Sequence, residues 1–331
     1  MYWHQYFSIA AVYGKRVYKE WQCIQQVLLP VVEKACAINE YTLNKVEQKK
    51  VLKYYPLLSV CANADNYAAL ANRSLNETER KKITVMSAMA TLCDDLLDEE
   101  GWLMEDLFIF LEALQFQKPL HKASAKAALI LSINQEFLSY GIPTTYWEQL
   151  RTAFIAQSNS IQQNQNYLTK EETLQISKEK NGQTSLLVAS LMEQDWTPLQ
   201  LKIIYQTGVM GQLMNDIFDT HKDLNEGIYT IVSKVNAIAE LKEIYTKELT
   251  NLHGLIRQLN LPKHSQQKII NNLTPINAFG MVGLHRMAQI ETSAKGKVDW
   301  KNLPRKALVF DMAFWSNRIL YLKYMQEIST Y

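Results

Sequence analysis

Apolar residues recur at helical spacing along almost the whole chain, and this periodicity constrains the fold more than any other feature. Gly and Pro are scarce, with 11 and 8 among 331 residues, and no strand-turn-strand rhythm interrupts the pattern. The stretches between periodic segments are short, and neither a low-complexity linker nor an internal repeat divides the chain. The sequence therefore predicts an all-α protein in which residues 1–331 form one helical domain.

Predicted helix boundaries follow the residues that start or stop helices. Ser74 and Glu77 have the spacing of a capping box. Pro disfavours helix interiors, so breaks are expected at Pro30, Pro56 and Pro275, and another at Asn181-Gly182. The predicted helices cover about 3–28, 31–48, 74–97, 103–115, 119–140, 143–168, 169–180 with a continuation from 185, 198–224, 232–259, a short helix after 262, 275–292 and 304–329.

Charge and cysteine content exclude several functional classes. The net charge of +2 gives no electrostatic basis for nucleic-acid binding. Four cysteines without Cys-x-x-Cys spacing indicate reduced thiols in a cytoplasmic protein. We expect no signal peptide, because no basic segment precedes an apolar one at the N-terminus. No apolar run approaches the ~20 residues that span a bilayer, so no membrane span is expected.

Two acidic stretches stand out against this helical background. Asn215, Asp219 and Asp223 are spaced i, i+4, i+8 and line one face of a predicted helix, with Lys222 beside them. Far upstream, an acidic cluster lies at the C-terminal end of a helix, where the helix dipole is already negative. Divalent cations are the simplest explanation for this costly arrangement. The cluster consists of Asp94, Asp95, Asp98, Glu99 and Glu100.

The donor types narrow the choice of cation and substrate. Carboxylate and amide oxygens are hard ligands that suit Mg²⁺ or Mn²⁺ better than zinc. Mg²⁺ commonly completes its coordination with water and substrate phosphates. Two acidic helices are therefore suited to binding a diphosphate through bridging metals. No Gly-x-x-x-x-Gly-Lys-Ser/Thr segment is present, which disfavours a nucleoside triphosphatase.

The two stretches also resemble the metal-binding motifs of one superfamily. Asp94-Asp95-x-x-Asp98 resembles the DDxxD motif of class I isoprenoid synthases. The run that starts at Asn215 is similar to their second motif and to the Asn/Ser/Glu motif of terpene cyclases, and residues 212–229 also resemble a squalene and phytoene synthase motif. The resemblance implies a single-domain helical bundle around a central cavity.

The resemblance assigns roles to individual residues. Asp94 and Asp98 correspond to ligands of two metal ions, with Asp95 supporting them. A third ion corresponds to Asn215, Asp219 and Asp223, although Asp219 and Asp223 depart from the Ser/Thr and Glu of the cyclase motif. The implied cofactor is Mg²⁺, as three ions, with Mn²⁺ as a substitute. The site residues implied as catalytic are Asp94, Asp98, Asn215, Asp219 and Asp223.

Cationic and small residues complete the predicted site. Lys180 resembles a diphosphate-binding lysine beside a helix break, Lys222 adds a phosphate contact, and Arg318 is similar to an arginine that closes over the diphosphate. Solvated surface positions are the alternative for Lys180 and Arg318. The predicted cavity wall consists of small side chains one and two turns before the acidic motifs: Ser87, Ala90, Gly208 and Gly211. For the two glycines, close packing between helices is the alternative.

Three functions remain open at this stage. The first is a terpene synthase that ionises a prenyl diphosphate, with farnesyl or geranylgeranyl diphosphate preferred, and cyclises the carbocation. The second is a prenyltransferase, condensing head to head or elongating, although no Arg pair follows Asp98. The third is a non-catalytic helical scaffold. A homodimer is compatible with each, and substrate length and product skeleton stay open.

Overall fold

A computed structural model describes residues 3–120, 122, 124–296, 298–308 and 312–330, with only the backbone described for residues 3–5 and 98. Every regular element in the described part is helical, and no strand occurs there, which confirms the predicted all-α class. The helices are α1 Trp3–Cys23, α2 Leu29–Ile38, α3 Lys45–Lys49, α4 Tyr55–Leu57, α5 Asp65–Leu70, α6 Glu77–Asp98, α7 Met104–Phe116, α8 Ala125–Ser139, α9 Thr144–Asn159, α10 Lys170–Ser190, α11 Pro198–Phe218, α12 Thr220–Glu226, α13 Ile231–Lys234, α14 Ile238–Arg257, α15 Lys263–Ser293, α16 Arg305–Leu308 and α17 Trp315–Ile328.

Several predicted helix breaks are wrong, because π-helical turns carry the helices past proline. Pro30 follows a π-helical turn at Ile24–Leu28, and Pro56 follows another at Lys50–Tyr54. The carbonyl that a helical proline crowds, four residues earlier, lies inside each of these turns. Pro275 lies within the 31 residues of α15, where it is buried. Three segments that the sequence divides at proline are therefore continuously helical.

The start of α6 also differs from prediction. Asn76, rather than Ser74, caps the helix, and its side chain accepts a hydrogen bond from the Glu79 backbone. Glu79 in turn accepts from the Asn76 backbone, so a capping box forms two residues later than expected. The helix then runs 22 residues to Asp98 and carries the first acidic stretch at its end.

The chain divides into two compact units, and the single domain predicted over 1–331 stays a prediction. The N-terminal unit comprises 7–155 and 187–195, and the C-terminal unit comprises 1–6, 156–186 and 196–331. In the N-terminal unit α6 packs on α8, and Leu92 and Leu96 of α6 are fully buried. In the C-terminal unit α11 packs on α14 and α15, and α15 packs on α17.

Candidate functional site

Two lysines pair with Asp95 near the acidic end of α6. Asp95 is buried, with 2% of its surface exposed. Its Oδ1 accepts a hydrogen bond from Lys50 at 2.9 Å, and its Oδ2 lies 3.5 Å from the Lys126 ammonium. Although burial opposes it, the hydrogen bond to Asp95 raises the pKa of Lys50. Both carboxylate oxygens of Asp95 are thus occupied by cations that belong to the chain.

Lys126 lies at the centre of a carboxylate triad in which Glu47 and Asp95 are buried and Glu99 is exposed. Its Nζ is 2.7 Å from Glu99, 3.2 Å from Glu47 and 3.5 Å from Asp95. The three carboxylates lie within 4.8 Å of one another, the arrangement of a cation site. Burial alone would lower the pKa of Lys126, but hydrogen bonds to Glu99 and Glu47 raise it overall. An ammonium group therefore occupies the place that a metal ion would take.

The other predicted ligands of this stretch are placed differently. Asp94 is half-buried and follows half-buried Ala90 by one turn, whereas Ser87 is buried and donates to the Thr84 carbonyl at 2.8 Å. The side chain of Asp98 lies outside the described residues. The metal roles of Asp94 and Asp98 stay predictions, while the lysines around Asp95 compete with any such role for that residue.

The second acidic stretch spans the junction of two helices rather than one helix. α11 ends at Phe218, Asp219 lies at the junction, and α12 begins at Thr220. Asn215 is exposed, and its Nδ2 donates to Oδ2 of Asp219 at 3.2 Å. Asn215 and Asp219 therefore lie on the same, partly exposed side of the α11–α12 junction, as their spacing predicts.

Asp216, which the spacing argument omits, is the most buried carboxylate of this stretch. It is 1% exposed, and it accepts hydrogen bonds from Ser177 at 2.9 Å and Gln212 at 2.8 Å. Burial raises its pKa to about 6, although these two hydrogen bonds favour the ionised form. Ser177 belongs to α10, so the contact joins α10 to α11 at the acidic motif.

Asp223 is buried without a hydrogen-bond donor. It is 8% exposed, and no described residue donates to its side chain or forms an ion pair with it. Burial raises its pKa to about 7, and the carboxylates of Asp216 and Asp219 add to the shift. The charges of Lys222 and Lys180 act in the opposite direction. A buried carboxylate among other carboxylates is costly unless a cation binds.

Lys180 contributes positive charge near the buried carboxylates of Asp216 and Asp223. It is half-buried on α10, and its charge lowers the pKa of both Asp216 and Asp223. No described acidic side chain lies within ion-pair distance of its ammonium group. The helix break predicted at Asn181-Gly182 is wrong, because α10 continues to Ser190. The sequence prediction that Lys180 lies near the second motif agrees with the electrostatic effect of its charge there.

The predicted cavity glycines lie at a close contact between helices. A methyl group added to Gly208 would clash with the Asn181 carbonyl and the Ser185 hydroxyl. The Asn181 side chain donates to the Gly208 carbonyl at 3.1 Å, and it also lies next to Gly211. These contacts favour close packing of α10 on α11 at Gly208. A cavity role for Ser87, Ala90 and Gly211 stays a prediction.

The remaining predicted diphosphate ligands are engaged elsewhere. Lys222 is exposed, and its ammonium lies 3.9 Å from Glu226. Arg318, also exposed, donates from Nε to the Met312 carbonyl at 2.7 Å and stacks over Trp315. Their diphosphate roles stay predictions.

We define the α10–α12 cluster as Lys180, Asp216, Asp219 and Asp223. Together with Asn215 it offers hard oxygen ligands beside an ammonium group that forms no close ion pair. The donor types suit Mg²⁺ or Mn²⁺ and an anionic substrate, although the carboxylate oxygens of Asp216, Asp219 and Asp223 do not all lie within 4.8 Å of one another as those around Lys126 do. The sequence contains a signal for Asp216, since 216, 219 and 223 are spaced i, i+3, i+7. No local pattern indicates its partner Ser177.

Comparison with protein-family models and with curated proteins finds no match. No helix in the described residues combines the length and apolar character needed to cross a membrane. Function must therefore be inferred from the two acidic stretches and the side chains around them.

Proposed function

We propose that the protein is a metal-dependent class I terpene synthase. It ionises a linear prenyl diphosphate, preferably farnesyl or geranylgeranyl diphosphate, and cyclises the carbocation with release of diphosphate. The observation that carries the proposal is the buried carboxylate of Asp223 within the α10–α12 cluster, to which no described side chain donates. The resemblance of both acidic stretches to class I motifs supports the same chemistry.

Each residue of the cluster has a role in this proposal. Asn215, Asp219 and Asp223 would hold Mg²⁺, which when bound supplies positive charge to the leaving diphosphate. Lys180 attracts the same anion, since its ammonium is not neutralised by a close carboxylate. Asp216 acts as a positioning residue, because its hydrogen bonds to Ser177 and Gln212 fix the side of α11 that carries the ligands.

The ammonium groups around Asp95 favour a second candidate. Lys50 and Lys126 already pair with buried Asp95, so that carboxylate needs no metal ion to compensate its charge. A helical protein without catalytic activity would have the same arrangement. Under the first proposal, Asp94 and Asp98 contribute the ligands of this stretch, and Asp95 remains bound to lysine.

Product analysis tests the proposal. The full-length protein is incubated with geranyl, farnesyl and geranylgeranyl diphosphates and Mg²⁺, with and without isopentenyl diphosphate. Cyclic products from one diphosphate alone are the expected result. Longer diphosphates or condensed products that need two substrates would assign the protein to the prenyltransferases instead. The absence of product with every substrate would overturn the proposal and support the second candidate.

A matched pair of variants ties activity to the cluster. Asp223→Asn is expected to lower turnover by at least ~100-fold, since a ligand that balances developing charge is lost. Asp195→Asn alters an exposed aspartate outside the cluster and is expected to retain wild-type turnover. Mn²⁺ binding, measured by the electron paramagnetic resonance of the free ion, provides a readout independent of turnover. Full activity of Asp223→Asn, or in EDTA, would contradict the assignment.

A further inference from the structure

The N-terminal half of α17 and the residue before it expose large apolar side chains. Phe314, Trp315 and Ile319 are 63%, 74% and 66% exposed. Trp315 and Ile319 lie one turn apart on the same side of α17. Three large apolar groups this exposed within six residues form a patch, unlike isolated surface apolar residues, which are common. We call these three residues the α17 patch.

The opposite face of α17 holds the helix in place. Asn317 and Tyr324 are buried there, and they bond to Arg286 at 2.7 Å and to His285 at 3.0 Å. Tyr6 also donates to the Leu322 carbonyl at 2.9 Å. The α17 patch therefore faces outward from a helix whose orientation is set by its other contacts.

Positive charge is concentrated around the patch. Residues 295–323 contain seven lysines and arginines against two aspartates, a net charge of +5, whereas the whole chain carries +2. Of these cations, six are exposed: Lys295, Lys301, Arg305, Lys306, Arg318 and Lys323. The remainder of the chain is therefore slightly negative, and the segment that carries the patch is basic.

We propose that the α17 patch and its cations dock on the surface of a membrane that contains anionic phospholipid. Tryptophan rings favour the headgroup level of a bilayer, and exposed apolar side chains insert into the acyl boundary. Lysine and arginine next to such groups are attracted to anionic headgroups. A second copy is a poorer occupant, because it would bring two segments of the same positive charge together.

Vesicle sedimentation with the full-length protein tests the proposal. We expect binding to vesicles of phosphatidylcholine mixed with phosphatidylglycerol, weaker binding as salt is raised, and little binding to phosphatidylcholine alone. The double variant Trp315→Ser, Ile319→Ser is expected to bind at least about tenfold more weakly. Its control is Tyr167→Ser, Ile161→Ser, which removes exposed apolar groups of the same unit from outside the patch.

The contribution of charge is tested with a second pair of variants. Lys306→Gln, Lys323→Gln is expected to weaken binding to anionic vesicles by about fivefold per cation. Lys202→Gln, Lys247→Gln removes two exposed lysines from outside residues 295–323 and is expected to bind as the wild type does. Circular dichroism and thermal unfolding establish that each variant is folded before binding is compared.

Three results would overturn the proposal. The first is the absence of binding to anionic vesicles. The second is binding that the Trp315→Ser, Ile319→Ser variant retains in full, since another surface would then be responsible. The third is concentration-dependent dimerisation that this variant abolishes, without vesicle binding, because the patch would then be an interface between copies.

Discussion

At the scale of single residues, buried carboxylates in the two acidic stretches have opposite surroundings. Asp95 meets two lysine ammonium groups, whereas Asp223 meets no donor among the residues that the structure describes and lies among other carboxylates. A buried carboxylate that pairs with a cation has its charge compensated. A buried carboxylate without such a partner has a raised pKa or binds a cation. The two residues are therefore expected to respond differently to pH, to metal and to substitution.

Asp223→Asn is predicted to change how stability depends on pH when metal is removed by EDTA. The folded protein holds a proton on Asp223 up to about pH 7, whereas the unfolded chain loses it near pH ~4. The folded state thus binds more protons across this window, so the free energy of unfolding of the wild type falls as pH rises through it. Asparagine does not titrate, so the variant does not undergo this fall in the free energy of unfolding. The fall is on the order of 2–4 kcal/mol in the wild type.

Urea unfolding at pH 4.5 and pH 8 measures the effect. We expect the free energy of unfolding of Asp223→Asn, relative to that of the wild type, to be higher at pH 8 than at pH 4.5. The exposed control Asp195→Asn should show no such change. An Asp223→Asn variant that loses stability relative to the wild type as pH rises would contradict the burial argument.

Lys126→Met is predicted to destabilise the N-terminal unit by about 3–5 kcal/mol, because it leaves Glu47, Asp95 and Glu99 without their shared cation. Millimolar Mn²⁺ or Ca²⁺ should restore part of this loss by binding the three carboxylates. Lys118→Met is the control, since both partners of its ion pair with Glu112 are exposed and the pair contributes at most ~1 kcal/mol. Calorimetry with and without the ion measures both effects. If the ion raised the stability of the wild type and of Lys126→Met equally, the Lys126 ammonium would not occupy the position of a metal ion.

At the scale of helices, the approach of α10 to α11 positions the α10–α12 cluster. Gly208 lets the backbones come close, so that Ser177 reaches Asp216 and Lys180 acts on the same group. Glycine at this position costs α11 about 1 kcal/mol of helix propensity. The close contact and the hydrogen bonds of Asn181 and Ser177 offset that cost.

Gly208→Ala is predicted to destabilise the protein by about 1–3 kcal/mol, since the added methyl group meets the Asn181 backbone and cannot be accommodated without movement. Gly254→Ala is the control on α14, where an added methyl group meets open space. It should stabilise by about 0.5–1 kcal/mol through helix propensity. Chemical unfolding compares the two. Equal gains in stability would show that the helices do not pack closely at Gly208.

At the scale of the whole molecule, charged residues are unevenly distributed between the two units. The basic segment 295–323 and the α10–α12 cluster both belong to the C-terminal unit. The buried lysine pairs of Asp95 belong to the N-terminal unit. Metal-dependent stabilisation is accordingly expected to appear first in the C-terminal unit.

Mg²⁺ with pyrophosphate is predicted to raise the thermal midpoint of the wild type by a few degrees, since a ligand at 100 times its dissociation constant adds about 2.7 kcal/mol. Hydrogen exchange should slow at 177–181 and 215–223. Asp223→Asn should lose the shift, and Asp195→Asn should keep it. Protection confined to Glu47, Asp95 and Glu99 would place the metal in the N-terminal unit instead.

Helical periodicity along the sequence is sufficient to predict the all-α class and several boundaries. The predicted helix at 103–115 is observed as α7, and 198–224 as α11 and α12. Proline breaks were wrong at Pro30 and Pro56, because proline propensity is local while π-helical turns and packing absorb its strain. Such compensation depends on neighbouring helices that a local pattern does not include.

The sequence alone determined that oxygen-bearing side chains recur at helical spacing, since the i, i+4, i+8 positions of Asn215, Asp219 and Asp223 are a property of the chain itself. Only the tertiary structure decided which carboxylates meet a cation. Lys50 and Lys126 come from 45 and 31 residues away in the chain to reach Asp95. Asp223 is buried with no such partner. Helix periodicity sets which side chains share a face, and packing between distant segments sets what that face meets.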